Sequence, residues 1–499
     1  IIVPDLPTID TSTEQDVAGG GYNHWATAGF FGRLNYNYKE KYLLEVNGRY
    51  DGTSRFMKDQ RWNFFPSFSL GWNVARENFW KPLESVVNQF KLRGSWGELG
   101  NQNTSNLYPF YEILPVKSNS GNWLVNGGKT NTADIPSLVS TLLTWERVRS
   151  FNVGFDFGAF SNRLTGSFDY FVRKTVDMVG PAPQLPLVLG IAPAIVNNAD
   201  MKSYGFEIEL SWRDRIGEVD YGVKFNLADA QQKVVKYPNT TNAFNDWYAG
   251  KMSGEIWGYT SLGIAKTDEE MKEHLASLPN GGQNQLGNKW GAGDIMYADI
   301  NGDGKVDGGK GTLADPGDQR IIGNSTPRYN FGLVLDASYK GFDVSIFFQG
   351  VGKRDYAPIV GTNGAVFWGA VNNIWQSMAM EEHFDYFRPE GHPMGANLNG
   401  YYPRPDFTSN KNHQVQTRYL QDTSYIRLKN LQIGYTLPKQ WINKLHINRC
   451  RVYVSGDNLW TGTSLASMFD PETLAAGDWG SGKTYPLSKV ISFGLNVNF

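Results

Sequence analysis

The chain has one cysteine, Cys450, in 499 residues. A single thiol excludes an internal disulfide framework and a multi-cysteine metal site. Cys450 lies in phase with Val452 and Val454 and reads as a small apolar filler. Charge is also scarce. Asp, Glu, Lys and Arg make up 19% of the residues, against roughly 25% in soluble domains. The formal net charge is −2, so there is no basic excess for nucleic acid or an anionic surface. No apolar run reaches the length of about 18 residues that a spanning helix needs. That absence leaves barrel strands open, because half of each such strand is polar. No Met or signal peptide opens Ile1-Ile2-Val3-Pro4, and the chain reads as a fragment of a longer precursor.

What the chain does have is sorted strands. VISFGLNVNF (490–499) places Ile491, Phe493, Leu495, Val497 and Phe499 in one phase and Ser492, Gly494, Asn496 and Asn498 in the other. With 40% hydrophobic residues, such sorting arises by chance at about one site in a thousand, so it marks a β-strand with two unlike faces. The same pattern recurs at 34–52, 66–74, 90–96, 151–157, 164–171, 204–212, 221–227, 329–350, 426–437 and 451–460. A phase slip near Lys429-Asn430 predicts a bulge. This gives about 13 strands, many of ten residues or more. Globular strands average about 5–6 residues, whereas a tilted membrane-crossing strand needs about 9–11.

The connections alternate in length. Short ones fall at 39–41, 76–87, 159–163, 213–219, 340–341 and 438–448. Long ones fall at 53–63, 97–144, 177–202, 228–327, 352–422 and 461–487. The expectation is an all-β fold: an antiparallel transmembrane β-barrel portion, with long loops outside and short turns in the periplasm. Residues 28–499 would form it, residues 1–27 would lie in an extracellular segment, and the strand-like stretch 253–264 would sit in an extracellular excursion. Trp72, Trp96, Trp212 and Trp460 near strand ends suit an interfacial aromatic girdle.

Three stretches bear on chemistry. ADINGDGKVD (298–307) sets Asp299, Asn301 and Asp303 at positions 1, 3 and 5 of an EF-hand-type loop, the Lys305 carbonyl at 7 and Asp307 at 9. Lys310 stands where the loop's final Glu belongs, and Asp318 could supply the missing carboxylate. A structural Ca²⁺ stiffening a long loop is the expectation; a metal-free Asx turn is the alternative. GDWGSGKT (477–484) spells a phosphate loop but is followed by Tyr485-Pro486 and a strand, so it lacks the helix N-terminus that would hold a phosphate. MEEHFDYF (380–387) with His392 reads as a solvated loop face, since there is no HExxH. No nucleophile elbow or paired carboxylates are present, so no catalytic residue is assigned. Trp123, Trp247, Tyr248, Trp290, Trp368, Trp375 and Trp479 fall in the long loops, where exposed aromatics suit stacking on sugars or gripping apolar side chains.

YKEKYLLEVNGRYDGTSRF, FFPSFSLGW, KLRGSWGELGNQN, RLTGSFDYF, YADINGDGKVD, YIRLKNLQIGYTLPK and RVYVSGDNLW, in that order, resemble the SusC-like branch of TonB-dependent outer-membrane transporters of Bacteroidetes. The likeness runs along nearly the whole chain. It implies a barrel of about 22 strands, of which this chain holds the last 13 or so, with an N-terminal plug outside the chain. It implies TonB acting through that N-terminal region, a SusD-like surface lipoprotein lid, and import of an oligosaccharide or peptide. It also implies that the terminal aromatic, Phe499, is read by the barrel assembly machinery. A passive porin or surface adhesin is the alternative within the membrane class, and a soluble glycan-binding or glycosidase domain outside it. The strand pattern supports a membrane barrel; active import enters through the resemblance alone.

Overall fold

The computed structural model describes residues 22–104, 106–181, 186, 188, 190–191, 193–358, 365–372, 380–407, 410–443, 447–474 and 484–499. Its sorted segments form a single 13-stranded antiparallel sheet. The strands are β1 Thr27–Tyr38, β2 Tyr42–Thr53, β3 Trp62–Asn73, β4 Val87–Asn101 and β5 Glu146–Ala159. They continue as β6 Leu164–Gly180, β7 Val196–Ile216, β8 Val219–Lys236 and β9 Arg328–Tyr339. β10 Phe342–Lys353, β11 Tyr425–Thr436, β12 Arg449–Thr463 and β13 Val490–Asn498 complete the sheet. Each strand pairs only with its sequence neighbours, an up-and-down meander. Among the described residues nothing pairs with the outer edges of β1 and β13.

The turns follow the residues that form them. Lys340 (φ 47°) and Gly341 (φ 91°) are both left-handed, as a two-residue hairpin loop requires, and the glycine takes that conformation without strain. The expected bulge is present, since the register slips between Leu428 and Asn430 and leaves Lys429 unpaired. At the short turn after β3, Glu77 accepts bonds from Lys41 Nζ (2.8 Å), the Tyr42 hydroxyl (2.8 Å) and Trp72 Nε1 (3.2 Å). Lys41 and then Tyr42 hold the Glu77 carboxyl down at about 2, so this clasp stays charged across the ordinary pH range. The 253–264 stretch lies off the main sheet as expected. Glu255–Gly258 pairs with Arg320–Asn324, and Ser261–Ile264 with Ile295–Tyr297. Most of the 1–27 segment falls outside the described residues.

The sheet is sorted inside out relative to a soluble domain. On β3, Trp62, Phe64, Phe68 and Leu70 share one face and all are exposed. Phe30, Leu34 and Tyr36 on β1, Leu210 on β7, and Ile491, Phe493 and Leu495 on β13 are exposed too. The opposite face carries Ser, Asn, Lys, Arg and Asp. Aromatics mark both margins of the apolar face. Near the short turns Tyr42 stacks on Trp72 (6.5 Å), Phe160 meets Trp212 (6.2 Å) and Phe342 meets Tyr435 (4.5 Å). Near the long loops Tyr50 stacks on Trp62 at 5.1 Å. Ten residues separate Trp62 from Trp72 on β3. At about 3.3 Å per residue and a tilt of about 40°, that is a height of about 25 Å, the apolar band of a membrane barrel. An exposed apolar band of that height needs lipid, not water, against it.

Phe68→Arg, near mid-band on the apolar face, is expected to destabilise the vesicle-folded protein by about 2–4 kcal/mol in urea titration, while Ser69→Arg on the polar face costs little. Equal effects would mean that the two faces do not see different solvents.

Candidate functional site

The polar face is bridged by charge. Arg93 on β4 donates to Asp156 on β5 (2.9 and 3.1 Å) and to Asp169 on β6 (2.5 and 2.6 Å). It can reach across because Gly154 lies between them in register, and a Cβ there would fall 2.6 Å from an Asp169 oxygen. The same device recurs toward the other edge. Arg451 on β12 pairs with Asp343 on β10 and with Gln432 on β11 (2.9 Å), passing over Gly434. These pairs are half-exposed, so each contributes about 0.2–1 kcal/mol and mainly lines a wet surface.

Above one rim the long connections build a cap with its own core. From the β8–β9 connection come Tyr259, Ile295, Tyr297 and Val306; from β10–β11, Phe367, Trp368, Tyr402 and Tyr419; from β12–β13, Leu465 and Phe469. The aromatics meet edge to face, Trp368 on Tyr419 at 4.8 Å and Phe367 on Trp368 at 5.0 Å. A charged clamp ties two of the connections together. Asp294, wholly buried, accepts from Arg404 (2.6 and 2.8 Å), Lys411 Nζ (2.9 Å) and Asn412 Nδ2 (2.9 Å). Lys411 also lies 5.0 Å over the Trp290 ring, and its carbonyl accepts the Tyr297 hydroxyl at 2.6 Å. Burial pushes that phenol well above its ordinary range, so it remains a donor.

The acidic loop is wound as its spacing predicts. Asp299 accepts the Gly302 and Gly304 N–H groups (2.6 and 2.8 Å), Asn301 that of Asp303 (2.9 Å), and Asp303 that of Lys305 (3.2 Å). Gly302 and Gly304 hold φ of 77° and 79°, which glycine alone adopts readily. Asp318 does join the loop across the Gly-rich insertion. It is fully buried and accepts from Ile300 (2.7 Å), Asn301 (3.3 Å) and Asp307 (2.8 Å). Burial pushes its carboxyl up, against those three bonds. Asp307 instead carries the Lys305 ammonium at 2.5 Å, which draws its carboxyl down. Among the described residues no three His, Cys, Asp or Glu side chains converge on one metal-sized point. Asp299, Asn301, Asp303 and Asp318 keep oxygen lone pairs that fit a hard cation; Asp307 does not while Lys305 neutralises it.

The loop aromatics separate into classes. Trp123 is exposed, and Trp247 is partly so, with the Lys251 ammonium 5.8 Å from its ring. Tyr248 is half-buried and donates to Glu255 at 2.6 Å. Trp290 is half-buried at the clamp. Trp368 corrects the expectation of an exposed ligand contact: it is 0% exposed and centres the cap core. Trp375, Trp479 and most of the 477–484 phosphate-loop pattern lie outside the described residues. The 380–387 stretch also needs correction, because His383 is buried rather than solvated. Its Nδ1 accepts the Met380 N–H (3.0 Å) and its Nε2 faces the Phe367 carbonyl (3.0 Å), so it is a structural imidazole that ties two segments of the connection together. Sequence reasoning missed the Asp294 clamp, whose partners stand 110–118 residues away.

Residues 4–459 match the family model described as TonB dependent receptor-like, beta-barrel. The chain is 30% identical to TonB-dependent receptor P3 of Formosa agariphila, over 94% of this chain and 45% of that protein. It is 24% identical to TonB-dependent receptor SusC of Bacteroides thetaiotaomicron, over 94% of this chain and 43% of that protein. The chain thus spans about half the length of the curated relatives it matches. The solved structure of the RagAB peptide transporter shares its fold, with a TM-score of 0.73 at 22% identity over 98% of this chain and 49% of that one.

Asp294→Ala removes the nearest carboxylate from the buried Lys411 and from the partly exposed Arg404, a loss of about 3 kcal/mol, and is expected to open the cap without unfolding the sheet. Limited proteolysis then cuts within 283–297 and 404–416 many-fold faster, and Asp294→Ala with Lys411→Met recovers part of the protection. Unchanged cleavage would show that the clamp does not hold the cap.

Proposed function

This chain belongs to the TonB dependent receptor-like β-barrel family, and on that premise we propose that it forms the C-terminal part of an outer-membrane transporter importing an oligosaccharide or peptide. Barrels of this family lie in the outer membrane, with the apolar face toward lipid. The observation that carries the reading is the exposed apolar band bounded by aromatics, beneath a folded cap confined to one rim. The capped rim faces outward and the short turns face the periplasm. The bare edges of β1 and β13 would leave backbone groups unsatisfied in lipid, which supports pairing with strands of an N-terminal part of the same barrel. That part carries the plug and the segment that TonB pulls. A SusD-like surface lipoprotein closes the outer mouth, and the exposed Trp123 and Trp247 are candidates for contact with ligand. The cargo classes rest on the aromatic loops and on the likeness to the SusC receptor and the RagAB peptide transporter.

We further propose that the 299–318 loop takes one structural Ca²⁺ through Asp299, Asn301, Asp303, the Lys305 carbonyl and Asp318, with Asp307 joining once Lys305 swings away. The turn geometry and the buried Asp318 support it; the Lys305–Asp307 pair opposes it.

Cells expressing the intact transporter are expected to lose uptake of labelled oligosaccharides or peptides when TonB is deleted. Uptake that persists without TonB identifies a passive pore instead. Separately, Ca²⁺ is expected to raise the melting temperature of the purified protein by several degrees, and Asp299→Asn to abolish the shift. No shift in the wild type would make the loop a metal-free turn.

A further inference from the structure

The apolar face carries one anomaly. At its long-loop margin a row of basic residues crosses four strands in direct register. Arg149 on β5 pairs with Lys174 on β6, Lys174 with Lys202 on β7, and Lys202 with Lys233 on β8. The next row toward the short turns, in the same phase, is Phe151, Val172, Tyr204 and Gln231. The basic row therefore lies on the lipid-facing side, as Lys202 shows by lying 5.1 Å from the Tyr204 ring. Like charges directly opposite each other on a sheet are destabilising. Of the nearby acids only Glu98 reaches the row, at its Arg149 end. Glu98 serves Arg149 (2.6 Å) and Arg147 (3.8 Å), while Asp200 takes the Asp177 N–H at 3.0 Å. Asp229 is occupied by Arg328. Among the described residues no carboxylate lies within the 4.0 Å ion-pair distance of Lys174, Lys202 or Lys233.

The heights of these residues select the counter-charge. Arg149 and Lys174 each stand ten residues from the short-turn ends of their strands, Ala159 and Leu164. At about 2.5 Å of height per residue in a tilted strand, that is about 25 Å, the top of the apolar band. Lys202 and Lys233 lie on the same rung, because Trp212 and Val223, which pair with each other, stand ten residues below them and Trp212 pairs with Leu164. The row thus runs across three strand spacings, about 14 Å, along the margin between hydrocarbon and headgroups, further than a single phosphodiester extends.

We propose that the Arg149–Lys174–Lys202–Lys233 row binds the phosphates of an outer-leaflet phosphorylated glycolipid of the lipid A class. Lysine and arginine give charge-assisted hydrogen bonds to phosphate oxygens, while Val172, Phe151 and Tyr204 below them meet the acyl chains. The proposal rests on the outward orientation of the capped rim. A bound glycolipid would fix the β5–β8 wall against the membrane directly under the cap.

The test uses the protein purified from outer membranes, reconstituted into phosphatidylcholine vesicles with and without bisphosphorylated lipid A. Binding is read with fluorescent lipid A. Lys174→Gln, Lys202→Gln and Lys233→Gln together are expected to weaken it at least about ten-fold. The polar-face control set, Lys91→Gln, Arg173→Gln and Lys224→Gln, binds as the wild type does. Inorganic phosphate at millimolar concentration does not compete, and phosphatidylglycerol competes only weakly. A row variant within two-fold of the wild type, or full competition by either probe, overturns the proposal. Protease protection of the short turns, measured in parallel, reports insertion and orientation. A wild-type protein that inserts correctly yet ignores lipid A sinks the row alone; one inserted the other way sinks the orientation and the row together.

Discussion

Inside a bilayer no water is available to satisfy a backbone N–H or C=O, so the inter-strand ladder has to satisfy them all. The other features of the sheet follow from that requirement. Thirteen neighbour-paired strands satisfy one another, and their side chains are free to sort by solvent. The exposed side becomes apolar, as Phe68 and Leu70 show, and the other side can afford Arg93 and two carboxylates. The ladder also explains the glycines at 154 and 434. A long guanidinium crosses a strand only where the intervening residue has no side chain. Among the described residues the sheet leaves the outer edges of β1 and β13 unpaired.

Because the sheet spends its apolar residues on lipid, its buried hydrophobic core lies elsewhere. It sits in the connections above one rim, around Trp368, Tyr402 and Tyr419. Three segments far apart in sequence fold there as a small globular body, held by aromatic edges and by the buried Asp294 clamp. Trp247, in the β8–β9 connection, and Trp123, in the β4–β5 connection, are exposed rather than packed into that core. The acidic loop at 299–318 belongs to the same body, with Val306 buried beside its carboxylates.

What could be seen in the residues depended on range. Strands carry a period of two, so all 13 were legible, and a slipped phase disclosed the bulge at Lys429. The turn of the acidic loop was legible because its residues lie within about ten positions of one another; that Asp318 packs against it depends on a more distant contact, with the Asp307 N–H. The cap was not legible. Nothing local distinguishes the buried Trp368 from the exposed Trp123, since burial there is decided by segments that arrive from elsewhere in the chain. His383 misled for the same reason: four acidic or polar neighbours suggest water, while the Phe367 carbonyl that it meets comes from sixteen residues back. The basic row on β5–β8 is invisible along the chain and appears only when the registers of four strands are laid side by side.

The central claim is that the exposed apolar face contacts lipid and the opposite face contacts water. Spin labels placed singly at positions 67 to 71 of β3, in a background with Cys450 replaced, test it directly in reconstituted vesicles. The account predicts period-two alternation, with oxygen accessibility high at 68 and 70 and accessibility to a water-soluble nickel reagent high at 67, 69 and 71. Water accessibility that is uniform along the five positions would contradict it.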